Sequence, residues 1–193
     1  MSTRELREQP LVIVHTGDGK GKTTAALGLA LRAWSRGWSI GVVQFVKSGR
    51  WRPGEQTALA ALGRLHEQTG EGGPVAWYQA GTGWTWSRSS TGEHADEAVA
   101  AAREGWARAA ELLRCEAHDL LILDEITYPL RREWLDTHEV VSAVVGRPGH
   151  QHVVLTGRGA PEELLRIADL VTDMTKVRHP YDAGIRGQRG IEW

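Results

Sequence analysis

The sequence predicts an α/β fold, with a mostly parallel β-sheet that carries helices on both faces. Short, almost purely apolar runs alternate along the chain with longer amphipathic segments, which is the pattern of strands buried on both sides. Strands are predicted at residues 11–15, 40–45, 120–123, 153–156 and 170–174. Helices are predicted at residues 22–35, 55–62, 96–115, 137–145 and 161–168.

Turn residues delimit these elements. Gly37 is suited to end the first helix, and Pro161 is suited to the first turn of the last one. Residues 47–54 and 63–95 are rich in Gly, Ser, Thr and Trp without clear periodicity, and they predict long loops. We expect residues 1–10 to form a short polar arm and residues 11–193 a single domain.

Composition excludes several functional classes. The chain has 23 basic and 24 acidic residues, so no strong net field favours nucleic acid or a membrane surface. One cysteine rules out an internal disulfide and fits a reducing compartment. Residues 1–10 do not resemble a signal peptide, and no apolar run is long enough to span a bilayer. We therefore expect a cytoplasmic protein without a membrane anchor.

A glycine-rich loop, TGDGKGKTT at residues 16–24, joins the first strand to the first helix. Backbone N–H groups in such a loop bind anions, and the helix N-terminus adds partial positive charge. Lys22 can neutralise phosphate oxygens, and the Thr23 hydroxyl can ligate Mg²⁺. The segment predicts nucleoside triphosphate binding on a P-loop NTPase-like fold. Thr16 occupies the position of the first glycine in a regular Walker A motif, which suggests a specialised loop.

The strand at residues 120–123 ends in Asp124 and Glu125. Ligands of open α/β sheets bind at the carboxyl ends of the strands, so these acids are predicted to coordinate or orient Mg²⁺ in the manner of a Walker B segment. The role of Glu125 stays open at this point, because hydrolytic P-loop enzymes use a glutamate here to activate water.

Three further features have two interpretations each. Trp84 and Trp86 project to one side of an extended segment, where they can contact a planar ligand or pack in a core. The run Arg-Trp-Arg at residues 50–52 allows stacking on nucleic acid, although two arginines are weak support. Arg158 follows an apolar strand, where it can contact phosphate or lie in a surface turn.

Taken in order, the motifs resemble those of the ATP:corrinoid adenosyltransferases of bacterial cobalamin synthesis. The matching runs are TGDGKGKTTAALG (16–28), VVQFVK (42–47), GWTW (83–86), LDEITY (123–128), RPGHQ (147–151), TGRG (156–159) and DAGI (182–185). They extend over nearly the whole chain from residue 11, and together they are far more specific than the P-loop alone.

The resemblance implies transfer of the 5′-deoxyadenosyl group of ATP to Co(I) of a corrinoid, with release of inorganic triphosphate. The acceptor implied is cob(I)yrinic acid a,c-diamide, cobinamide or cobalamin, in biosynthesis or in salvage. It also implies Mg²⁺, a homodimer and a flavoprotein electron donor, and no nucleic acid partner.

The resemblance also assigns roles to individual residues. Lys20, Lys22 and Glu125 are implied to be catalytic, and Thr23 and Glu125 to bind Mg²⁺, with Asp124 beside them. Trp84 and Trp86 are implied to lie beneath the corrin ring and to displace the lower axial ligand of cobalt, which makes the metal easier to reduce. The implied ATP-binding residues are Gly17, Asp18, Gly19, Lys20, Gly21, Lys22, Thr23, Thr24, Arg32 and Arg158.

Three departures from the family pattern bear on the site. Asp18 stands where the family usually has Asn, so a carboxylate is expected near phosphate. The arm before Gln9 is shorter than the basic helix of many members, and residues 64–75 look longer than usual. Two rival interpretations are a hydrolytic P-loop switch or motor and a nucleic-acid-binding module; the balanced charge disfavours the second.

Overall fold

A computed structural model of the protein describes residues 9–45, 54–80 and 93–191. The strands are β1 (Val12–Thr16), β2 (Ile40–Phe45), β3 (Val75–Ala80), β4 (Leu120–Asp124), β5 (His152–Thr156) and β6 (Leu170–Asp173). The helices are α1 (Lys22–Trp34), α2 (Gly54–Thr69), α3 (Glu93–Arg114), α4 (Thr127–Arg131), α5 (Thr137–Val145) and α6 (Glu162–Ile167). A 3₁₀ turn at Pro180–Ala183 follows β6.

The six strands form one sheet in the order β3-β2-β4-β5-β1-β6, and every neighbouring pair is parallel. This confirms the predicted α/β class and the parallel sheet. The order places β1 and β4, which precede the two predicted motifs, on either side of β5. The loops that follow β1, β4 and β5 therefore meet at the carboxyl ends of the strands, which we call the loop edge of the sheet. The amino ends of the strands form the opposite edge.

Each face of the sheet carries its own apolar core, because side chains alternate along a strand. On one face, Ile13, Val42 and Ile122 pack against alanines and leucines of α1 and α2. On the other, Val14 and Leu123 pack against α3, α4, α5 and α6. The predicted helix layers on both faces are confirmed, and the small side chains of α1 let that helix lie close to the sheet.

The prediction of a long loop at residues 63–95 is wrong for its described part. Helix α2 continues to Thr69, β3 occupies Val75–Ala80, and α3 begins at Glu93. Strand β3 is the outermost strand on one side of the sheet and all six of its residues are only half-buried; its short run VAWY stands between glycine-rich stretches at residues 70–74 and 81–83, which indicate a loop. The short α4 was also not predicted.

The predicted turn residues are close to their expected places. Gly37 has φ 79° and its N–H donates to the carbonyl of Trp34, so it closes the turn after α1. Pro161 occupies the N-cap of α6, one position before the first helical residue, instead of lying inside the first turn. Within the described ranges, no helix combines the length and the apolar character needed to cross a membrane.

Candidate active site

A row of polar side chains crosses the carboxyl ends of the inner strands, on the face that carries α1. Gln44 on β2 is in register with Asp124 on β4, and His15 on β1 is in register with Thr156 on β5. The register of β4 and β5 sets Asp124 beside Thr156. All four side chains are buried, and the residue two positions earlier in each strand, on the same face of the sheet, is apolar. The row forms the floor beneath the glycine-rich loop.

The loop is held by its own lysine. The Lys22 Nζ donates to the carbonyl of Gly17 at 2.6 Å and to that of Gly19 at 2.5 Å. Gly21 occupies the N-cap of α1 with φ 110°, and no side chain caps the helix. The first N–H groups of a helix have no intrahelical partner, so those of Lys22, Thr23 and Thr24 are available to an anion.

The glycines of the loop also accommodate the chain that follows β6. The Gly19 N–H donates to the carbonyl of Met174 at 2.6 Å. A Cβ atom at Gly17 would overlap Asp173 and Met174, and one at Gly19 would overlap the carbonyl of Met174. Gly17 also has φ 95°, which strains any other residue. The segment after β6 thus packs directly against the loop, and glycines at positions 17 and 19 leave the space that this contact requires.

Three cationic side chains gather above this loop. Burial is the main cause that lowers the pKa of Lys22; the Glu125 carboxylate opposes the shift and the Arg158 guanidinium adds to it. Burial and then Arg158 lower the pKa of Lys20 as well. The Ala160 N–H also donates to the Thr16 hydroxyl at 3.0 Å, so the loops after β1 and β5 lie side by side. An incoming polyphosphate would relieve the repulsion between Arg158 and the two lysines.

Asp18 acts on the lysine of the loop, because its carboxylate raises the pKa of Lys22, as that of Asp173 does. Both effects are smaller than those of Glu125 and Arg158. Asp18 itself is exposed. The replacement of the usual Asn therefore adds negative charge at the rim of the loop and leaves the buried floor unchanged.

Asp124 is fully buried and accepts three side-chain hydrogen bonds. Its Oδ1 accepts from the Thr23 hydroxyl at 2.8 Å and from the Thr156 hydroxyl at 2.7 Å, and its Oδ2 accepts from Gln44 Nε2 at 2.8 Å. Because the proton of Thr23 points to Asp124, the lone pairs of that hydroxyl face away from the carboxylate. The arrangement suits Thr23 as a cation ligand and Asp124 as the group that orients it.

Glu125 lies one residue beyond the strand, half-buried, with φ 60°. A non-glycine residue in the left-handed region is strained by roughly 1–2 kcal/mol, so other contacts must hold it. Its N–H donates to the Thr156 hydroxyl at 2.9 Å. This bond fixes the backbone of Glu125, and the carboxylate of this residue raises the pKa of Lys22.

The chemistry of these side chains fits a magnesium ion bound together with a nucleotide. In the described part of the chain, no group of three or more His, Cys, Asp or Glu side chains could enclose a metal alone. One hydroxyl (Thr23) and one carboxylate (Glu125) are the hard oxygen ligands that Mg²⁺ takes when phosphates and water complete its shell. The donor set therefore agrees with a nucleotide-borne cation.

One predicted residue of the described part lies apart from this cluster. Arg32 is in the last turn of α1, about 15 Å along the helix axis from Lys22 at 1.5 Å per residue. Its proposed approach to the nucleoside stays a prediction. Trp84 and Trp86 lie outside the described residues, so their place beneath the corrin ring stays a prediction too.

Sequence reasoning missed three members of the floor. Gln44 and Thr156 bond to Asp124, and His15 lies beside Thr156 with neither ring nitrogen partnered among the described residues. Burial lowers the pKa of His15. The available signal was a polar residue at or near the carboxyl end of an apolar strand, repeated in three strands.

Comparison with known proteins agrees with this geometry. Residues 8–193 match the model of the family described as "ATP:corrinoid adenosyltransferase BtuR/CobO/CobP". The corrinoid adenosyltransferase CobA of Salmonella typhimurium is 40% identical over 186 residues, which cover 96% of this chain and 87% of that protein. The corrinoid adenosyltransferase of Escherichia coli K12 is 39% identical with the same coverage.

A third relative, the corrinoid adenosyltransferase of a Sinorhizobium species, is 40% identical over 187 residues, covering 96% of this chain and 81% of its own. The similarity thus extends over 96% of this chain and over 81–87% of these three relatives, and it includes the P-loop, the acidic strand end and the loop after β5. The chain belongs to the ATP:corrinoid adenosyltransferase family and is an enzyme that acts on ATP and a corrinoid.

Proposed function

We propose that the loop edge of the sheet binds ATP and presents its 5′ carbon to the Co(I) centre of a corrinoid. The cobalt electron pair forms a bond to C5′, the C5′–O bond breaks, and its electron pair leaves on inorganic triphosphate. Cobalt is thereby oxidised from Co(I) to an alkylated Co(III). The observation that carries this proposal is the uncapped N-terminus of α1, beside which the carbonyls of Gly17 and Gly19 hold the Lys22 ammonium group.

This arrangement suits the leaving group. A departing triphosphate develops charge that spreads over all three phosphates, so preorganised donors along its length stabilise the transition state. The loop offers the N–H groups of the first turn of α1, and the two lysines and Arg158 add positive charge. In this proposal Lys20 and Lys22 are catalytic as electrostatic stabilisers, and Gly17, Asp18, Gly19, Gly21 and Thr24 line the phosphate path.

Thr23 and Glu125 would hold Mg²⁺, which neutralises phosphate charge when it is bound with ATP. Asp124 would act through Thr23 by accepting its proton. Glu125 then needs no role in activating water. Its half-buried position next to Lys22 supports a role in binding and is also compatible with the hydrolytic alternative, so the experiment must separate the two.

Further parts of the proposal come from the family resemblance. The tryptophans Trp84 and Trp86 would press on the lower face of the corrin and favour reduction of Co(II). Arg32 would approach the nucleoside. We also propose a cytoplasmic homodimer that receives electrons from a flavoprotein. The acceptor among cob(I)yrinic acid a,c-diamide, cobinamide and cobalamin is left open.

The decisive experiment is anaerobic. The purified protein is mixed with chemically reduced cob(I)alamin, ATP and Mg²⁺, the corrin spectrum is followed, and the phosphate product is identified. We expect a light-sensitive adenosylated corrin and stoichiometric triphosphate. Steady release of orthophosphate without any change in the corrin would mean that the loop serves hydrolysis. Salt-sensitive oligonucleotide binding would support the nucleic-acid alternative.

A substitution at Trp86 tests the proposed corrin contact. Trp86→Ala should slow adenosylation that starts from Co(II) and an external reductant, because the fifth ligand is no longer displaced. Adenosylation of chemically prepared Co(I) should change much less, and ATP affinity should stay as in the wild type. A loss of ATP affinity in this variant, measured by calorimetry, would contradict the assignment.

A further inference from the structure

Two threonines link the acidic strand end to the loop after β5, and each binds the backbone of the other segment. The Thr156 hydroxyl accepts from the Glu125 N–H at 2.9 Å, and the Thr127 hydroxyl donates to the Arg158 carbonyl at 2.9 Å. Both threonines have 0% of their surface exposed. We call Thr127 and Thr156 the threonine pair.

The Thr156 hydroxyl uses its hydrogen-bonding capacity on both acids. It donates its proton to Asp124 Oδ1 at 2.7 Å and accepts from the backbone of Glu125. A hydroxyl has one donor and two acceptor positions, so one small group fixes both neighbouring acids. Because Glu125 has φ 60°, this bond also opposes the relaxation of a strained backbone.

The Thr127 side chain fits against a glycine on the other segment. Gly157 has φ 141°, and a Cβ atom there would overlap Thr127 Oγ1. The hydroxyl therefore occupies the space that a side chain would need, and from there it reaches the Arg158 carbonyl. Thr127 fixes the backbone that carries Arg158, whereas Thr156 fixes the backbone that carries Glu125.

We propose that the threonine pair consists of positioning residues, which set Glu125 and Arg158 at the separation that a magnesium–nucleotide complex requires. The proposal rests on the function proposed above. The two members have different duties: Thr156 acts on the acids that face the cation, and Thr127 acts on the guanidinium that faces phosphate. Their substitutions should therefore differ in how they depend on Mg²⁺.

The test measures ATP binding by calorimetry, once with Mg²⁺ and once with EDTA. Thr156→Val should lose affinity by roughly 10- to 100-fold with Mg²⁺, the usual cost of removing a partner of a metal ligand, and by less than about 3-fold with EDTA. Thr156→Ser keeps the hydroxyl and should restore the wild-type ratio. Thr127→Val should weaken binding by a similar factor under both conditions.

Ser39→Ala is the matched control, because the Ser39 hydroxyl also links two segments of this sheet, through Asp119 Oδ2 at 2.9 Å, but at the opposite edge. It should leave both ATP affinities unchanged. Equal ratios of the two affinities in Thr156→Val and the wild type would overturn the proposal. If Thr156→Val does not fold, unchanged affinity in Thr127→Val overturns it instead. A wild type that binds no ATP under either condition would contradict the proposed function itself.

Discussion

The two ends of strand β4 carry similar chemistry and very different surroundings. Asp119 precedes the strand and accepts from the N–H and hydroxyl of Ser39, at 2.7 and 2.9 Å, at an exposed edge. Asp124 ends the strand and accepts three side-chain donors with no exposed surface. Asp119 joins the starts of β2 and β4. Asp124 joins the ends of β2, β4 and β5 and, through Thr23, connects them to the first turn of α1 after the glycine-rich loop.

The same contrast extends to the cations. At the loop edge, Lys22 donates to the carbonyls of Gly17 and Gly19. At the opposite edge, Arg147 donates to the carbonyls of Val144 and Gln151. Burial is the largest cause that lowers the pKa of each cation. Lys22 is influenced by charged groups of both signs on several loops, whereas Arg147 is fixed between a helix end and a strand and is influenced by the single carboxylate of Asp169. Burial and hydrogen bonding alone therefore do not distinguish a site from a structural support; the converging loops do.

The largest expected difference concerns the two cations. Lys22→Ala should reduce turnover by roughly 100- to 1000-fold, because it removes a preorganised charge from the leaving group. Arg147→Ala should instead cost about 1.5–3 kcal/mol of unfolding free energy, the value of hydrogen bonds from a charged donor, with kcat nearly unchanged. Turnover with cob(I)alamin and denaturant unfolding give the two quantities. Loss of kcat in Arg147→Ala, without loss of folded protein, would break the comparison.

Substitutions of Asp124 and Asp119 test the same comparison between the two ends of β4. Asp124→Asn turns an acceptor into a donor among three buried donors, which should destabilise the fold by about 1–3 kcal/mol and lower turnover by roughly 10- to 100-fold. Asp119→Asn should cost less than about 1 kcal/mol, since its surroundings are exposed. The measurements are thermal unfolding and initial rates at saturating ATP. Equal destabilisation by both substitutions would show that the buried carboxylate of Asp124 contributes no more to stability than the exposed carboxylate of Asp119.

The smallest effect concerns pH and two histidines, His15, which is buried, and His118, which is half-buried. Burial lowers the pKa of His15 at the loop edge and of His118 at the opposite edge, from the ordinary histidine value of 6.5. The unfolded chain then binds more protons than the folded one below about pH 6.5, so unfolding free energy falls as pH decreases, until the folded pKa is passed.

His15→Phe and His118→Phe should each make unfolding free energy less dependent on pH below about pH 6.5, as measured by denaturant titration across that range. His118 lies against Gly41, whereas His15 lies beside Thr156 of the floor. Only His15→Phe should therefore also alter ATP affinity. An unchanged pH dependence in both variants would mean that other groups govern acid sensitivity.

Sequence reasoning succeeded where apolar runs and glycine patterns are strong. It located β1, β2, β4 and β5 and the loop between β1 and α1, because inner strands are apolar on both faces. It missed β3, whose Trp77, Tyr78 and Gln79 are half-buried at the sheet edge. Edge position alone is not the reason, because β6 at the other side of the sheet was predicted at residues 170–174; β3 instead stands between glycine-rich stretches that indicate a loop.

The site was predicted as a set of motifs, without the contacts between them. Lys22, Asp124 and Glu125 follow from their positions after strands. The partnership of Thr156 with both acids depends on β4 and β5 being neighbours, which local sequence does not specify. The same holds for the contact of Gly19 with Met174, since that segment comes from the far end of the chain.

The position of β1 in the sheet has a consequence for the protein during its synthesis. Its two neighbours, β5 and β6, follow the other described strands along the chain, so they leave the ribosome after them. A nascent chain that already contains the complete phosphate-binding motif and Asp124 still lacks both partners of β1, and non-local pairing of this kind forms late. A truncated product ending before His152 would contain every motif residue of the loop but neither of the two strands that flank β1. Nucleotide binding by this enzyme therefore depends on strands that are synthesised well after the binding loop itself.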